Sequence, residues 1–215
     1  GIIKIDGNAE VAGENSLSVK TKKIDATISY KNLVIATGSS TFMLPIEGSD
    51  LPEILTSDSI LDLQEIPESL TIIGGGVIGM EFAFIFRELG SEVNVVEFAP
   101  EILALLDQDV VDVIKVAAEE KGIRIMTGAG ASRLIKSEND EMITVVKSDD
   151  KELYLTSSHV LMAVGRKANI DSLELEKIGV ELNERKNGIE INEKCQTTNP
   201  DIYAIGDVTN KIQLA

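Results

Sequence analysis

With 43% hydrophobic and 26% charged residues, the 215-residue chain has the composition of an ordinary globular protein of one large or two small domains, and not of a disordered or fibrous one. Asp plus Glu number 36 against 20 Lys plus Arg, a net charge of -16 that repels phosphate backbones and anionic lipid heads and so disfavours nucleic-acid and membrane-surface binding. The single cysteine, Cys195, excludes an intrachain disulfide and suits a cytoplasmic protein. No apolar run approaches the roughly 18 residues of a membrane span, and the first residues lack a signal-peptide pattern.

Residues 1–39 alternate apolar and polar positions between Gly, Asn and Lys breaks, which predicts a β-meander. Its last strand, Leu33 to Ala36, is apolar throughout and is expected to be buried on both faces. Pro45, Gly48 and Pro52 mark a loop, and Thr56 and Ser57 can cap a short helix reaching about Gln64. From Leu70 the pattern becomes strand, helix, strand, helix, strand. "LTIIG" precedes a helix from Val77 to Leu89, and "EVNVVE" precedes a second opened by Asp107, whose stripe is Val110, Val111, Ile114, Ala117 and Ala118. "IRIMT" follows. This βαβαβ order implies a parallel sheet with right-handed crossovers. Residues 133–155 read as hairpins turning at "SENDE" and "SDDKE". Strands at "HVLMAVG", "GIEIN" and "IYAIG" and a short helix at about Leu173 to Lys177 complete the chain.

Gly74, Gly76 and Gly79 form G-x-G-x-x-G at the first strand-to-helix junction. The first glycine suits a tight turn, the second a close approach of a pyrophosphate to the backbone, and the third tight packing of helix on strand. The free amides near Val77 and Ile78 then face the phosphates, so an anion is held locally in a chain that is acidic as a whole. The bare pattern suits a packing-driven turn equally well. Glu97 adds to it: 18 residues after Gly79, at the end of the apolar run Val93 to Val96, it can accept hydrogen bonds from the adenosine ribose hydroxyls. A carboxylate there repels a 2'-phosphate, so the expected cofactor is NAD and not NADP.

"IIGGGVIGMEFA", "VVEFAPEIL", "AVGRKAN", "GVELNE" and "IYAIGDV" together resemble the pyridine-nucleotide disulfide oxidoreductases, and most closely the dihydrolipoamide dehydrogenases, over essentially the whole chain. The resemblance implies an α/β fold. A Rossmann-like NAD-binding domain, residues 41–167, would combine a parallel sheet with an antiparallel β-meander, flanked by partial FAD-domain segments at 1–40 (itself a β-meander) and 168–215. It also implies that Glu81 and Gly165 border the nicotinamide, that the backbone of Ala131 meets the adenine, and that Thr37, Gly38 and Asp207 touch FAD in a longer flavoprotein.

That flavoprotein would be a homodimer oxidising dihydrolipoamide through a disulfide and FAD with hydride transfer to NAD, as part of a 2-oxo acid dehydrogenase or glycine cleavage complex. The family's own FAD glycine turn, its C-x4-C pair and its terminal His and Glu are missing from this stretch. The chain therefore reads as an internal fragment with no catalytic residue and no metal site of its own, inactive alone and prone to self-association. Cys195 resembles no redox motif, and His159, opening a strand, is read as structural. Alternatives are the corresponding part of a mercuric reductase or NADH oxidase, or a stand-alone NAD-binding module.

Overall fold

Alternation of apolar side chains along Ser69–Ile73 places Leu70 and Ile72 on one face and Thr71 and Ile73 on the other, and all four are buried, so this strand is covered on both sides. It is the middle of a five-stranded parallel sheet in the order Ile54–Leu55, His159–Met162, Ser69–Ile73, Glu92–Val96, Arg124–Met126. The computed structural model describes residues 1–148, 151–171 and 173–211. They form two compact units: Gly1–Ser40 with Arg166–Ala215, and Thr41–Gly165.

In the 41–165 unit, helices α1 (Val77–Glu88) and α2 (Gln108–Glu120) cover one face of the sheet. Leu70, Ile72, Val93, Val95 and Leu161 there meet Met80, Ala83 and Phe86 of α1 and Val111 and Ala118 of α2. Each large aliphatic side chain buried in this layer stabilises the fold by about 1.5–3 kcal/mol. An antiparallel meander of Gly130–Lys136, Met142–Ser148 and Lys151–Ser157 covers the other face, where Leu134 and Met142 pack on Ile54, Ile73, Val160 and Met162. The helical stripe is narrower than the sequence implies, because Val110 sits on the solvent edge of α2 and only Val111 and Ala118 are fully buried. The expected helix reaching Gln64 is a single 3-10 turn, Ser59–Asp62, and the preceding loop contains the edge strand Ile54–Leu55. The second hairpin turn includes Asp149 and Asp150, which lie outside the described residues.

In the other unit, Asn8–Gly13, Ser16–Lys20 and Asp25–Ser29 form the antiparallel meander. Leu33–Ile35 does not extend it. This strand pairs in parallel with Ile202–Ala204, and the two pack Ile35, Ile202 and Ala204 against Leu175, Ile178, Val180, Ile189, Ile191 and Val208. Burial on both faces is therefore corrected to burial on one. Alternation turns Val34 away from that cluster, where it is 54% exposed. The expected strand at "GIEIN" reduces to one isolated bridge, Leu182 to Ile189, while Ile189 and Ile191 are anchored by burial.

Candidate functional site

The carboxyl end of Ser69–Ile73 turns at Gly74, whose amide donates to Val96 O at 2.8 Å. Its φ of +111° suits glycine, and a side chain there would run into the carbonyl of Ala163 on the neighbouring strand. Gly79 has the matching constraint: a side chain would collide with the carbonyl of Gly74, so its absence lets α1 sit directly on the strand end. Ala83, one turn later, is fully buried on the same face. Gly76 differs from both. It is the N-cap of α1, and nothing lies within 4 Å of where its side chain would be.

The first intrahelical bond of α1 runs from the Met80 amide to Gly76 O at 2.9 Å. No side chain among the described residues caps this end, and its first turn holds no acidic residue. The amides at Val77 and Ile78 therefore keep unsatisfied donors at the positive end of a helix dipole, beside an open Gly76. Such an end accepts a phosphate. The space beside Gly76 is open.

Glu97 stands one residue past the end of Glu92–Val96. Its Oε2 accepts the Gly75 amide at 2.5 Å and its Oε1 the Ala99 amide at 2.7 Å. The Gly75 carbonyl in turn accepts the Leu103 amide at 2.9 Å, and Ile102 closes over Gly75. Glu101 holds that covering segment. The Lys115 ammonium at 2.9 Å and then the Ile102 amide keep its carboxyl below the usual glutamate range. A carboxylate offers about four acceptor positions, so Glu97 retains capacity for hydroxyl groups after binding two amides.

The other expected residues of this unit are placed as follows. Glu81 is exposed just past the first turn of α1, without an ion pair among the described residues. Ala131 lies half-buried at a bulge opposite Val146. Gly165 accepts the Phe42 amide at 2.9 Å and takes φ +126°. His159 sits in the parallel sheet opposite Leu70, with a buried Nδ1 that lacks a partner.

In the first unit, the Thr37 hydroxyl donates to Asn169 O and Asn169 Nδ2 to Thr37 O, both at 2.9 Å, while Gly38 O takes the Asn169 amide at 3.0 Å. Asp207 Oδ2 accepts the Ser39 hydroxyl at 2.6 Å, and Ser39 Oγ accepts Arg166 Nε at 2.6 Å. Arg166 stands in the motif "AVGRKAN", whereas its partner Ser39 and the partner Asn169 are not picked out as site residues by motif. A signal for Asn169 is present in "GRKAN", where it stands three residues after Arg166. Cys195 is half-buried at the margin of the apolar cluster, and no group of three His, Cys, Asp or Glu among the described residues could hold a metal.

A parallel α/β sheet with a glycine turn against an uncapped helix, and an antiparallel meander on its far face, is the mixed architecture of flavoprotein disulfide reductases. The structure matches the Cu(II) complex of the HOCl-induced flavoprotein disulfide reductase RclA from Escherichia coli with a TM-score of 0.87 and 34% identity, over 98% of this chain and 46% of that one. The chain belongs to the pyridine nucleotide-disulphide oxidoreductase family, whose model matches residues 1–215. It is 37% identical over 212 residues to the dihydrolipoyl dehydrogenase of Buchnera aphidicola subsp. Schizaphis graminum, covering 98% of this chain and 44% of the relative. It is also 37% identical over 205 residues to the mercuric reductase of Lysinibacillus sphaericus, covering 95% and 36%. The chain thus spans less than half the length of these relatives. Among the described residues no helix is long and apolar enough to cross a membrane.

Proposed function

We propose that the 41–165 unit is the NAD(H) seat of a dihydrolipoamide dehydrogenase-like flavoprotein. The observation that carries the reading is the uncapped start of α1 beside an open Gly76, next to the carboxylate of Glu97. The amides of Val77 and Ile78 bind the pyrophosphate, and Glu97 receives the adenosine ribose hydroxyls while still clasping Gly75. Ala131 borders the adenine, and Glu81 and Gly165 border the nicotinamide. Bound NAD supplies a hydride acceptor, with FAD as the donor in the longer protein. Thr37, Gly38 and Asp207 belong to the FAD-facing side, where the Ser39 hydroxyl orients the Asp207 carboxylate. The longer protein is read as a cytoplasmic homodimer serving a 2-oxo acid dehydrogenase or glycine cleavage complex.

A second reading, another flavoprotein disulfide reductase, is favoured by the equal 37% identity to a mercuric reductase and by the match to RclA. Both readings share the dinucleotide seat and differ in the substrate that exchanges electrons with the flavin. The test is a titration of the purified chain with NADH and NADPH, together with its visible spectrum. Saturable NADH binding by a colourless protein is the expected result. Failure to bind NADH would refute the seat, and stoichiometric flavin would show that 1–40 with 166–215 hold FAD unaided.

A further inference from the structure

Residues 183–188 turn the chain between the bridged residues Leu182 and Ile189, and they hold the sole Asn-Gly pair of the sequence, Asn187-Gly188. Backbone groups around this pair are engaged. The Lys186 amide donates to Asn183 O at 2.8 Å, the Asn187 amide to Asn183 Oδ1 at 3.1 Å and the Ile189 amide to Val208 O at 3.0 Å, while the Gly188 carbonyl accepts the Asn183 amide at 2.9 Å. The Gly188 amide is the exception in the run 186–189. It donates to nothing among the described residues although Gly188 is buried, and a buried amide without a partner is rare.

Packing explains the glycine itself. Gly188 takes no positive φ, and a side chain there would run into the Thr209 carbonyl and Asn210. The missing Cβ also leaves the free amide uncrowded on the side of Asn187. Asn183 acts on the other half of the pair. Its Oδ1 is taken by the Asn187 amide, which fixes its Nδ2 as the group facing the Asn187 side chain, and that Nδ2 donates to Asn187 Oδ1 at 3.0 Å. A donor on this oxygen draws electrons from Asn187 Cγ and stabilises negative charge that develops on the oxygen. The opposite atom, Asn187 Nδ2, has no partner among the described residues, and Asn187 is exposed.

We propose that Asn187-Gly188 is a self-modification site, where the asparagine converts through a cyclic imide to isoaspartate and aspartate with Asn183 assisting. The Gly188 amide gives its proton to water and its nitrogen bonds to Asn187 Cγ. The Cγ–Nδ2 bond breaks, and ammonia leaves with a proton returned by water. A second water then opens the imide: at the backbone carbonyl it gives isoaspartate, with an extra methylene in the main chain, and at Cγ it gives aspartate. Water is the only co-reactant, and either product carries one more negative charge. The longer backbone of isoaspartate has to release one of the anchors on Asn183 or Val208. Ile189, next in the chain, is fully buried against the cluster of Ile35, Ile178 and Ile202, so the modification loosens that core with age.

The test is incubation of the purified chain at neutral pH in heavy-oxygen water, followed by mass spectrometry of the tryptic peptide 187–194 and enzymatic methylation of isoaspartate. Heavy oxygen in the product marks conversion during incubation and not during digestion, and Asn192 in the same peptide is the internal control. Asn187 in the folded chain is expected to convert about fivefold faster than in a synthetic peptide of residues 181–194, the effect of one hydrogen bond. Asn183→Asp keeps the oxygen that anchors the Asn187 amide but replaces the donor, and should convert more slowly than the original chain. Asn187→Gln should give no product and hold its melting temperature over the incubation, while the modified fraction of the original chain, separated by its added charge, melts lower. An unchanged Asn187, or conversion slower than in the peptide, overturns the proposal without recourse to any variant. Equal rates in the original chain and a folded Asn183→Asp overturn the role of Asn183.

Discussion

The Glu97 carboxylate accepts the Gly75 amide at 2.5 Å, so the acid closing one strand holds the glycine turn that closes its neighbour. Gly75 is buried, and its amide has no water to turn to when the carboxylate is removed. Glu97→Arg is therefore expected to have two effects. Loss of repulsion and gain of a cation lower the preference for NADH over NADPH. The orphaned amide costs about 1–3 kcal/mol of stability. Titrating both cofactors and following thermal unfolding separates the effects, and an unchanged affinity ratio would mean that Glu97 does not meet the ribose.

Gly76 and Gly79 stand three residues apart but are glycine for opposite reasons. Gly79→Ala forces α1 away from the Gly74 carbonyl, and a marked drop in melting temperature is expected along with weaker NADH binding. Gly76→Ala points a methyl group into open space. Its melting temperature should stay close to that of the original chain while NADH affinity falls at least tenfold, because the methyl occupies the approach of the pyrophosphate. Equal NADH affinity in Gly76→Ala would place the phosphates elsewhere.

Acid should loosen the 41–165 unit at identified points. Lys115 holds the Glu101 carboxyl low, and Lys136 does the same for Glu53 and Asp140. Carboxyls lowered in the folded state contribute stability that is complete above their unfolded values, about 4.3 for Glu and 3.9 for Asp, and is lost as pH falls through the lower native values. Lys136 is raised chiefly by Glu53 and then Asp140, so its contribution is complete at neutral pH and disappears only as pH rises through that raised value. Melting temperatures followed from about pH 7 to about pH 3 should show a flatter acid limb in a Glu53→Gln, Glu101→Gln double variant than in the original chain. Parallel curves would deny these groups a role.

Val34 and Ile205 lie exposed on and beside the two-stranded parallel sheet of Leu33–Ile35 and Ile202–Ala204. Among the described residues this sheet has no third strand, but the outer edge of Ile202–Ala204 is bonded to residues 195–197, with the Ala204 amide on Cys195 O and the Thr197 amide on Ile202 O, both at 2.9 Å, so the Leu33–Ile35 edge is the one open to another chain. Self-association of the isolated chain is expected, rising with salt as the charge of -16 is screened within about 8 Å at physiological ionic strength. Light scattering should show it, and Val34→Lys should reduce it. A monomer at every salt concentration would overturn the expectation.

Local chemistry made part of this protein readable from its letters. The apolar runs at 70–73 and 93–96, the glycines at 74, 76 and 79 and the amphipathic period of α2 each report interactions formed within a few residues, or burial on a sheet covered on both faces. The mixed parallel and antiparallel architecture of the 41–165 unit follows from that order of elements. Contacts between segments far apart in sequence left no such trace. Leu33–Ile35 reads as the end of a meander because its apolar run does not say which strand will pair with it. Only its docking beside Ile202–Ala204, 169 residues on, decides that Ile35 is buried and Val34 is not. Glu97 is legible as an acid at a strand end, whereas its clasp on Gly75 depends on two neighbouring strands ending at the same level of the sheet. Propensity and periodicity act along the chain; register, close approach and the sharing of a carboxylate are settled only when the segments meet.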